Sequence, residues 1–343
     1  MRLFTRYLLW LLILTILVSF VIPIYFNMPY PKPLGPDFDP AARMDYRKDI
    51  NEGQPGVVLL GDSILHYGID PQDLEKRTNT PTYSISIQGS GSAVLYLVTK
   101  NEIAAAKSKP KYLVVFFRDT LLTTPDFRVL GSYMTQIDEL AGSEETLLLQ
   151  LAYINQMSFI EKAADQYFPL YSARRVIWQS INKHNRTLLP RSFLNCGLEC
   201  TNTALTSVIN KDDFENSLQG NAVQIADEQL YKPENMNFEE RLPLSFLPEI
   251  VRLCNENGIQ LILVRTKNTF IPDAKHERPE IQKYIQDLNH YAGENNVILL
   301  DFAYDDRLTP DLFRDAFHLK EEGKKKFTEI LSESLSKLIN EQR

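Results

Sequence analysis

Val57-Val58-Leu59-Leu60 is apolar at every position and runs directly into Gly61-Asp62-Ser63. A run with no polar alternation fits a strand buried on both faces, as in a parallel sheet covered by helices on each side. Gly61 lets the backbone turn sharply, and Ser63 lands just beyond the strand's carboxyl end. Open α/β sheets carry their sites along that edge. A serine held there near backbone N–H groups has what a nucleophile needs. Gly, Asp and Ser are also ordinary turn residues, so the tripeptide alone leaves both readings open.

The chain repeats this strand-then-helix pattern. Residues 71–77 read as a short helix, 82–87 as a second strand, 88–91 as a turn and 93–107 as a helix. Residues 111–117 form a third strand, again continuously apolar from 112 to 117. Later come a helix over 244–256 capped by Asn257-Gly258, a strand over 259–264, a helix over 280–291, a strand over 297–301 and an amphipathic helix over 321–339. Such alternation implies parallel βαβ units. The expected fold class is α/β: a three-layer, parallel five-stranded sheet. Residues 121–243 interrupt it without clear strands. Within them 144–183 look mostly helical and 185–237 are polar and turn-rich, which reads as an insertion or cap over the sheet edge.

At the amino end, residues 7–26 carry no charge and are dominated by Leu, Ile, Val and aromatics. That length spans a bilayer as a helix. Arg2 and Arg6 precede it, so the positive-inside rule puts the amino terminus in the cytoplasm and everything after Phe26 outside. A cleaved signal peptide is the competing reading, but no small-x-small cleavage site follows the run. Pro29, Pro31, Pro33, Pro36 and Pro40 then mark an extended tether. The expected organisation is a cytoplasmic tail (1–6), an anchor (7–26), a tether (27–54) and a catalytic domain (55–343) with its insertion at 121–243.

A formal net charge of −7 argues against a general nucleic-acid binder, so no nucleic acid is expected as a partner. Three cysteines and five histidines are too scattered for a zinc cluster. Gly89-Ser90-Gly91 is too short for a phosphate-cradling loop, so neither metal nor cofactor is expected. Cys196 and Cys200 are either a small disulfide loop or two free thiols; Cys254 lies in an apolar helical pattern and reads as core.

Ahead of the last helix stands Arg314-Asp315-Ala316-Phe317-His318-Leu319. Asp and His three apart on one loop can meet: the carboxylate accepts from one ring nitrogen while the other faces a nucleophile. By itself this is also an ordinary loop pattern. Combined with Gly-Asp-Ser after the first strand, it becomes specific.

With both blocks in place, the chain resembles the SGNH (GDSL-type) hydrolases. Their first block is matched by Gly61-Asp62-Ser63 and their last by Asp315-Ala316-Phe317-His318, followed by Glu322-Gly323-Lys324. The second block is partial: Gly89 stands at the oxyanion glycine and Ser84 replaces the usual asparagine. In the third, Phe116-Phe117-Arg118-Asp119, Arg118 stands where the oxyanion asparagine is expected. The likeness covers roughly residues 55–120 and 244–340 and excludes the insertion. It implies a flavodoxin-like sheet, with Ser63 as nucleophile, His318 as general base and Asp315 as its orienter. Gly89, Arg118, Asp62 and Gln88 form the implied oxyanion and substrate-binding set, with the N–H groups of Ser63 and Gly89 as donors. Arg118 has three readings: an oxyanion donor, a binder of an anionic substrate group, or a structural partner of Asp119 or Asp62. His66 and Tyr67 also lie near the blocks, His66 reading more readily as a plain loop residue.

The resemblance implies an outward-facing, membrane-anchored acyl-ester hydrolase or O-acyltransferase acting through an acyl-Ser63 intermediate on a cell-envelope glycan or polysaccharide. Its partners would be an acyl donor, a glycan acceptor or acylated glycan, the membrane, and a membrane O-acyltransferase. The alternative is a non-catalytic anchored scaffold or glycan-binding accessory protein that keeps the fold, motivated by the departures at Arg118 and Ser84.

Overall fold

The computed structural model describes residues 2–25, 27, 31–38, 44–142, 144–174 and 228–341. The cysteine pair at 196 and 200 and most of the polar stretch 185–237 lie outside the described residues. The chain divides into two compact units, Met1–Pro36 with Tyr153–Ile225, and Asp37–Ala152 with Ala226–Arg343.

In the first unit, helix α1 (Arg2–Tyr25) contains Pro23, and its stretch Leu3–Tyr25 is long and apolar enough to cross a membrane. Beyond it, Lys32 and Gly35 of the proline-rich stretch bond within the same unit. Lys32 is buried, its Nζ lies 3.1 Å from Asp165 Oδ2, and the Gly35 N–H donates to the same carboxylate at 2.9 Å. An ionised pair out of water persists only when such extra hydrogen bonds satisfy it. The expected tether is therefore tied down within this unit at residues 32–35.

The second unit holds the sheet. Its first helix, α2 (Tyr46–Gly53), was not expected and falls in the stretch assigned to the tether. It is short and polar apart from Ile50, which is fully buried. Tertiary bonds hold it: the Arg47 N–H donates to Glu102, Tyr83 donates to Asp49, and Asn51 accepts from the N–H groups of Lys107 and Ser108. The globular body thus begins before residue 55.

Strand β1 (Val57–Gly61) is followed by α3 (Ser63–Gly68) and α4 (Pro71–Thr78). Asp70 caps α4 by accepting from the Gln72 and Asp73 N–H groups, Pro71 opens it, and Asn79 ends it in the left-handed conformation. Strand β2 (Thr82–Ser86), helix α5 (Ser92–Leu97, continued by a wider turn over Val98–Ile103) and β3 (Tyr112–Phe117) follow. Helix α6 (Met134–Leu140) buries Met134, Ile137 and Leu140, so residues 121–142 belong to the body rather than to an insertion. Helix α7 (Leu247–Glu256), β4 (Gln260–Arg265), α8 (Pro279–Glu294), β5 (Ile298–Asp301) and α9 (Glu321–Glu341) complete the unit.

All strand pairs are parallel, in the order β2-β1-β3-β4-β5. This is the flavodoxin-like order, and the expected fold class holds. The central strands β1 and β3 are buried at every position, as their unbroken apolar runs require, while the edge strands β2 and β5 are mostly half-buried. On one face Val57, Leu59, Val114 and Phe116 pack with Leu65, Leu74, Phe327, Ile330 and Leu331 of α3, α4 and α9. Alternate residues point the other way, where α7 packs on β4 and α5, with Tyr96 stacked on Phe246 at 4.9 Å. Cys254 is fully buried in α7, as expected, and burial pushes its thiol up to about 12.

Candidate active site

The carboxyl ends of β1, β2 and β3 lie side by side because the strands are parallel and in register, with Gly61 opposite Ser86 and Leu60 opposite Val115. Each strand leaves the sheet there in a turn. After β1, Asp62 is the N-cap of α3 and accepts the Ile64 N–H at 2.9 Å. That cap fixes the first turn of α3, in which Ser63 stands half-exposed with its N–H outside the helical hydrogen-bond ladder. The structure spends the Asp62 carboxylate on the cap, so its contribution is to hold the serine.

The Asp-x-x-His segment is a tight hairpin. Phe313 pairs antiparallel with Leu319, the Arg314 N–H donates to the His318 carbonyl at 2.8 Å, and the Lys320 N–H to the Leu312 carbonyl at 2.8 Å. Inside it, Asp315 Oδ1 accepts the N–H groups of Phe317 and His318, both at 2.9 Å. Asp315 also takes the His318 ring, with Nδ1 lying 2.8 Å from Oδ2 and 3.0 Å from Oδ1. With Nδ1–H donated to the carboxylate, Nε2 carries the lone pair. Nε2 stands 2.8 Å from Ser63 Oγ, across 255 residues of sequence. Partial burial pushes the Asp315 carboxyl up, but the His318 ring and the two backbone N–H groups outweigh it and hold it at about 2. It is therefore ionised at neutral pH and able to stabilise an imidazolium. The three residues expected to form a relay meet.

Tyr67 also belongs to this corner. Its ring lies edge-on to His318 with centroids 5.1 Å apart, and Arg314 covers it at 4.6 Å. His66 is exposed, beside Tyr67 and with Nδ1 3.5 Å from Ser86 Oγ.

The second and third turns differ from expectation. Ser84, aligned with the missing asparagine, sits inside β2 opposite Leu59 and does not reach the edge. Gly89 does. Its φ is +75°, and a Cβ there would stand 2.7 Å from the Tyr133 ring, so both backbone and space demand glycine. The Gln88 side chain is exposed, while its carbonyl accepts from Gln136 Nε2 at 2.8 Å. In a trans peptide this turns the Gly89 N–H to the opposite side.

Arg118 stands at the end of β3, packed against the relay hairpin. It is buried, its guanidinium stacks on Phe317 at 4.3 Å, and NH1 lies 3.5 Å from Asp119 Oδ2. Phe317 is the residue just before His318, and Phe270 packs on its other edge at 5.5 Å. Arg118 thereby seats the relay hairpin from the end of β3. Asp119, at φ +48°, is left-handed without being glycine, a conformation that persists only where surroundings impose it. Asp62 Oδ1 accepts the Ile64 N–H at the start of α3.

Sequence reasoning missed three residues around Gly89: Tyr133, Arg128 and Gln136. Arg128 and Tyr133 come from the segment after β3 and Gln136 from α6, a stretch that carries no motif. The one signal was Gly91, where a Cβ would stand 2.3 Å from the Phe127 carbonyl oxygen and hence mark close approach of another segment. Among the described residues, no group of His, Cys, Asp and Glu is arranged to hold a metal ion.

The sequence matches no family model, and no curated protein is similar to it. Among solved structures, similar chains include a putative acylhydrolase from Bacteroides fragilis, at 13% identity over 82% of this chain and 86% of that one, TM-score 0.36. A GDSL-like lipase from Bacteroides thetaiotaomicron is 12% identical over 82% and 88%, TM-score 0.35. An acetyl xylan esterase is 14% identical over 81% and 98%, TM-score 0.37. Superpositions this loose leave the reading of the site to the chain's own geometry.

Proposed function

We propose that this chain is a serine-dependent acyl-ester hydrolase or O-acyltransferase, held to a membrane by α1 and working outside the cell on an envelope glycan. Ser63 Oγ attacks the acyl carbonyl as His318 Nε2 takes its proton. The N–H groups of Ser63 and Gly89 take the developing oxyanion, and the Asp315 carboxylate stabilises the imidazolium. The imidazolium then protonates the departing alkoxide, leaving an acyl-Ser63 ester. Water or a sugar hydroxyl gives its proton to His318 and attacks the acyl carbon; the Ser63 Oγ–acyl bond breaks, and His318 returns the proton to Ser63 Oγ. The observation that carries this reading is the unbroken relay, Ser63 Oγ to His318 Nε2 at 2.8 Å and His318 Nδ1 to Asp315 Oδ2 at 2.8 Å. The half-exposed serine and histidine suit a bulky, hydrated substrate better than a single lipid chain. An outward orientation rests on Arg2 and Arg6 before the apolar helix.

The test uses the full-length chain in detergent, wild type and Ser63→Ala. A fluorophosphonate probe should label wild type alone, and p-nitrophenyl acetate turnover should vanish in the variant. Adding an acceptor glycan separates the two outcomes of the acyl-enzyme: acyl recovered on sugar means transfer, acetate alone means hydrolysis. Folded wild type that neither labels nor turns over an ester would defeat the enzymatic reading and favour a scaffold.

A further inference from the structure

Among the described residues, the buried side-chain polar atoms without a hydrogen-bond partner are Ser90 Oγ, Arg128 Nε and Gln136 Oε1. They are scattered in sequence but ring one turn. Ser90 follows Gly89 directly, Gln136 holds the Gln88 carbonyl, and Arg128 NH1 lies 3.5 Å from where a Cβ of Gly89 would stand. Buried polar atoms are almost always paired, so three orphans at one spot call for an explanation.

Arg128 is unusual in two further ways. It makes no ion pair among the described residues; its guanidinium only faces the Phe127 and Tyr133 rings, at 4.8 and 5.4 Å. Its φ is +54°, a left-handed backbone that favours Gly or Asn over arginine. The surrounding loop is well fixed. Thr123 bonds Tyr284, Gln229 donates to Asp126, and Phe127 is fully buried. A strained backbone thus presents an unpaired cation beside the glycine placed at the oxyanion. Strain of this kind collects at binding sites.

We infer that Arg128 is a specificity residue that takes a carboxylate or phosphate on the substrate, next to the ester carbonyl. The guanidinium fork matches either anion. The substrate class is then an acidic ester, such as an acylated uronic acid or an acylated sugar phosphate. This rests on the reading of Ser63 as the nucleophile.

The test compares the full-length wild type with Arg128→Asn, a change that removes the charge while suiting the left-handed backbone. Three acetyl esters serve as probes: methyl acetylglucoside, methyl acetylglucuronoside and acetylglucose phosphate. Wild type should favour one charged ester over the neutral one by tenfold or more in kcat/KM, chiefly through KM. Arg128→Asn should bring that ratio close to one, and Arg128→Lys should restore part of it. Whichever charged ester is favoured identifies carboxylate or phosphate. A wild type without preference, or a ratio unchanged in Arg128→Asn, overturns the inference. If no ester shows Ser63-dependent turnover, the catalytic reading fails and calorimetric titration with glucuronate and glucose phosphate decides this one. Binding lost in Arg128→Asn supports it; absent or equal binding refutes it.

Discussion

The two corners of the site are built by different means. The relay corner is local: Asp315 and His318 lie three residues apart, and the hairpin between Phe313 and Leu319 aims both. Only Ser63 comes from elsewhere, and it too is set by its own neighbour, the cap residue Asp62. The proposed oxyanion corner, around Gly89, is assembled from a distance. Gly89 meets Tyr133, and Gln88 meets Gln136. A corner made of short-range contacts keeps a recognisable spelling. A corner made of long-range packing does not, because many side chains from many loops can fill the same space.

If this contrast is right, the corners should fail differently. Asp315→Asn keeps the hairpin's shape but no longer stabilises the imidazolium or its tautomer; turnover should fall about 10⁴-fold while the thermal midpoint barely moves. Near-normal turnover in that variant would remove Asp315 from the relay. Gly89→Ala should damage both properties at once. The left-handed backbone costs about 1–2 kcal/mol for an alanine, and displacement of the N–H from the oxyanion costs about 10²-fold in kcat. Urea unfolding and steady-state kinetics on the same preparation check this. A variant as stable as wild type would show that Tyr133 yields easily.

The smallest effect concerns acid. Because the folded Asp315 carboxyl is held down at about 2, against about 3.9 in an unfolded chain, its contribution to stability is present above pH 4. It is lost as pH falls through 2. The group is about half-exposed, so solvent screening keeps this contribution small. Melting curves of wild type and Asp315→Asn should therefore converge between pH 4 and 2. A gap that widens on acidification would mean that another group dominates there.

Much of the body was legible. The continuously apolar runs before Ser63 and before Arg118 identified β1 and β3, since a strand covered on both faces has no polar side to show. The Asn257-Gly258 stop and Pro71 marked helix ends through backbone chemistry that any context shares. Helix α2 escaped because its polar sequence has a single buried side chain, Ile50, and its stability comes from bonds to Tyr83, Glu102 and Lys107. Lys32 escaped for the same reason. Nothing near it announces Asp165, 133 residues away. The role of Arg118 was open among three readings because an arginine's partner is a tertiary fact.

What the amino-acid sequence determined by itself is the sheet and the two short blocks at its edge. Strand burial, helix caps and the Asp-x-x-His hairpin all depend on interactions spanning a few residues, so composition and spacing suffice to specify them. The tertiary structure decided that Ser63 and His318 stand 2.8 Å apart. It also turned Arg118 inward onto Phe317 and left Arg128 facing the Gly89 turn without an ionic partner among the described residues. Those outcomes follow from how parallel strands bring distant turns to one edge. Which side chains then meet depends on packing between loops that the chain keeps far apart.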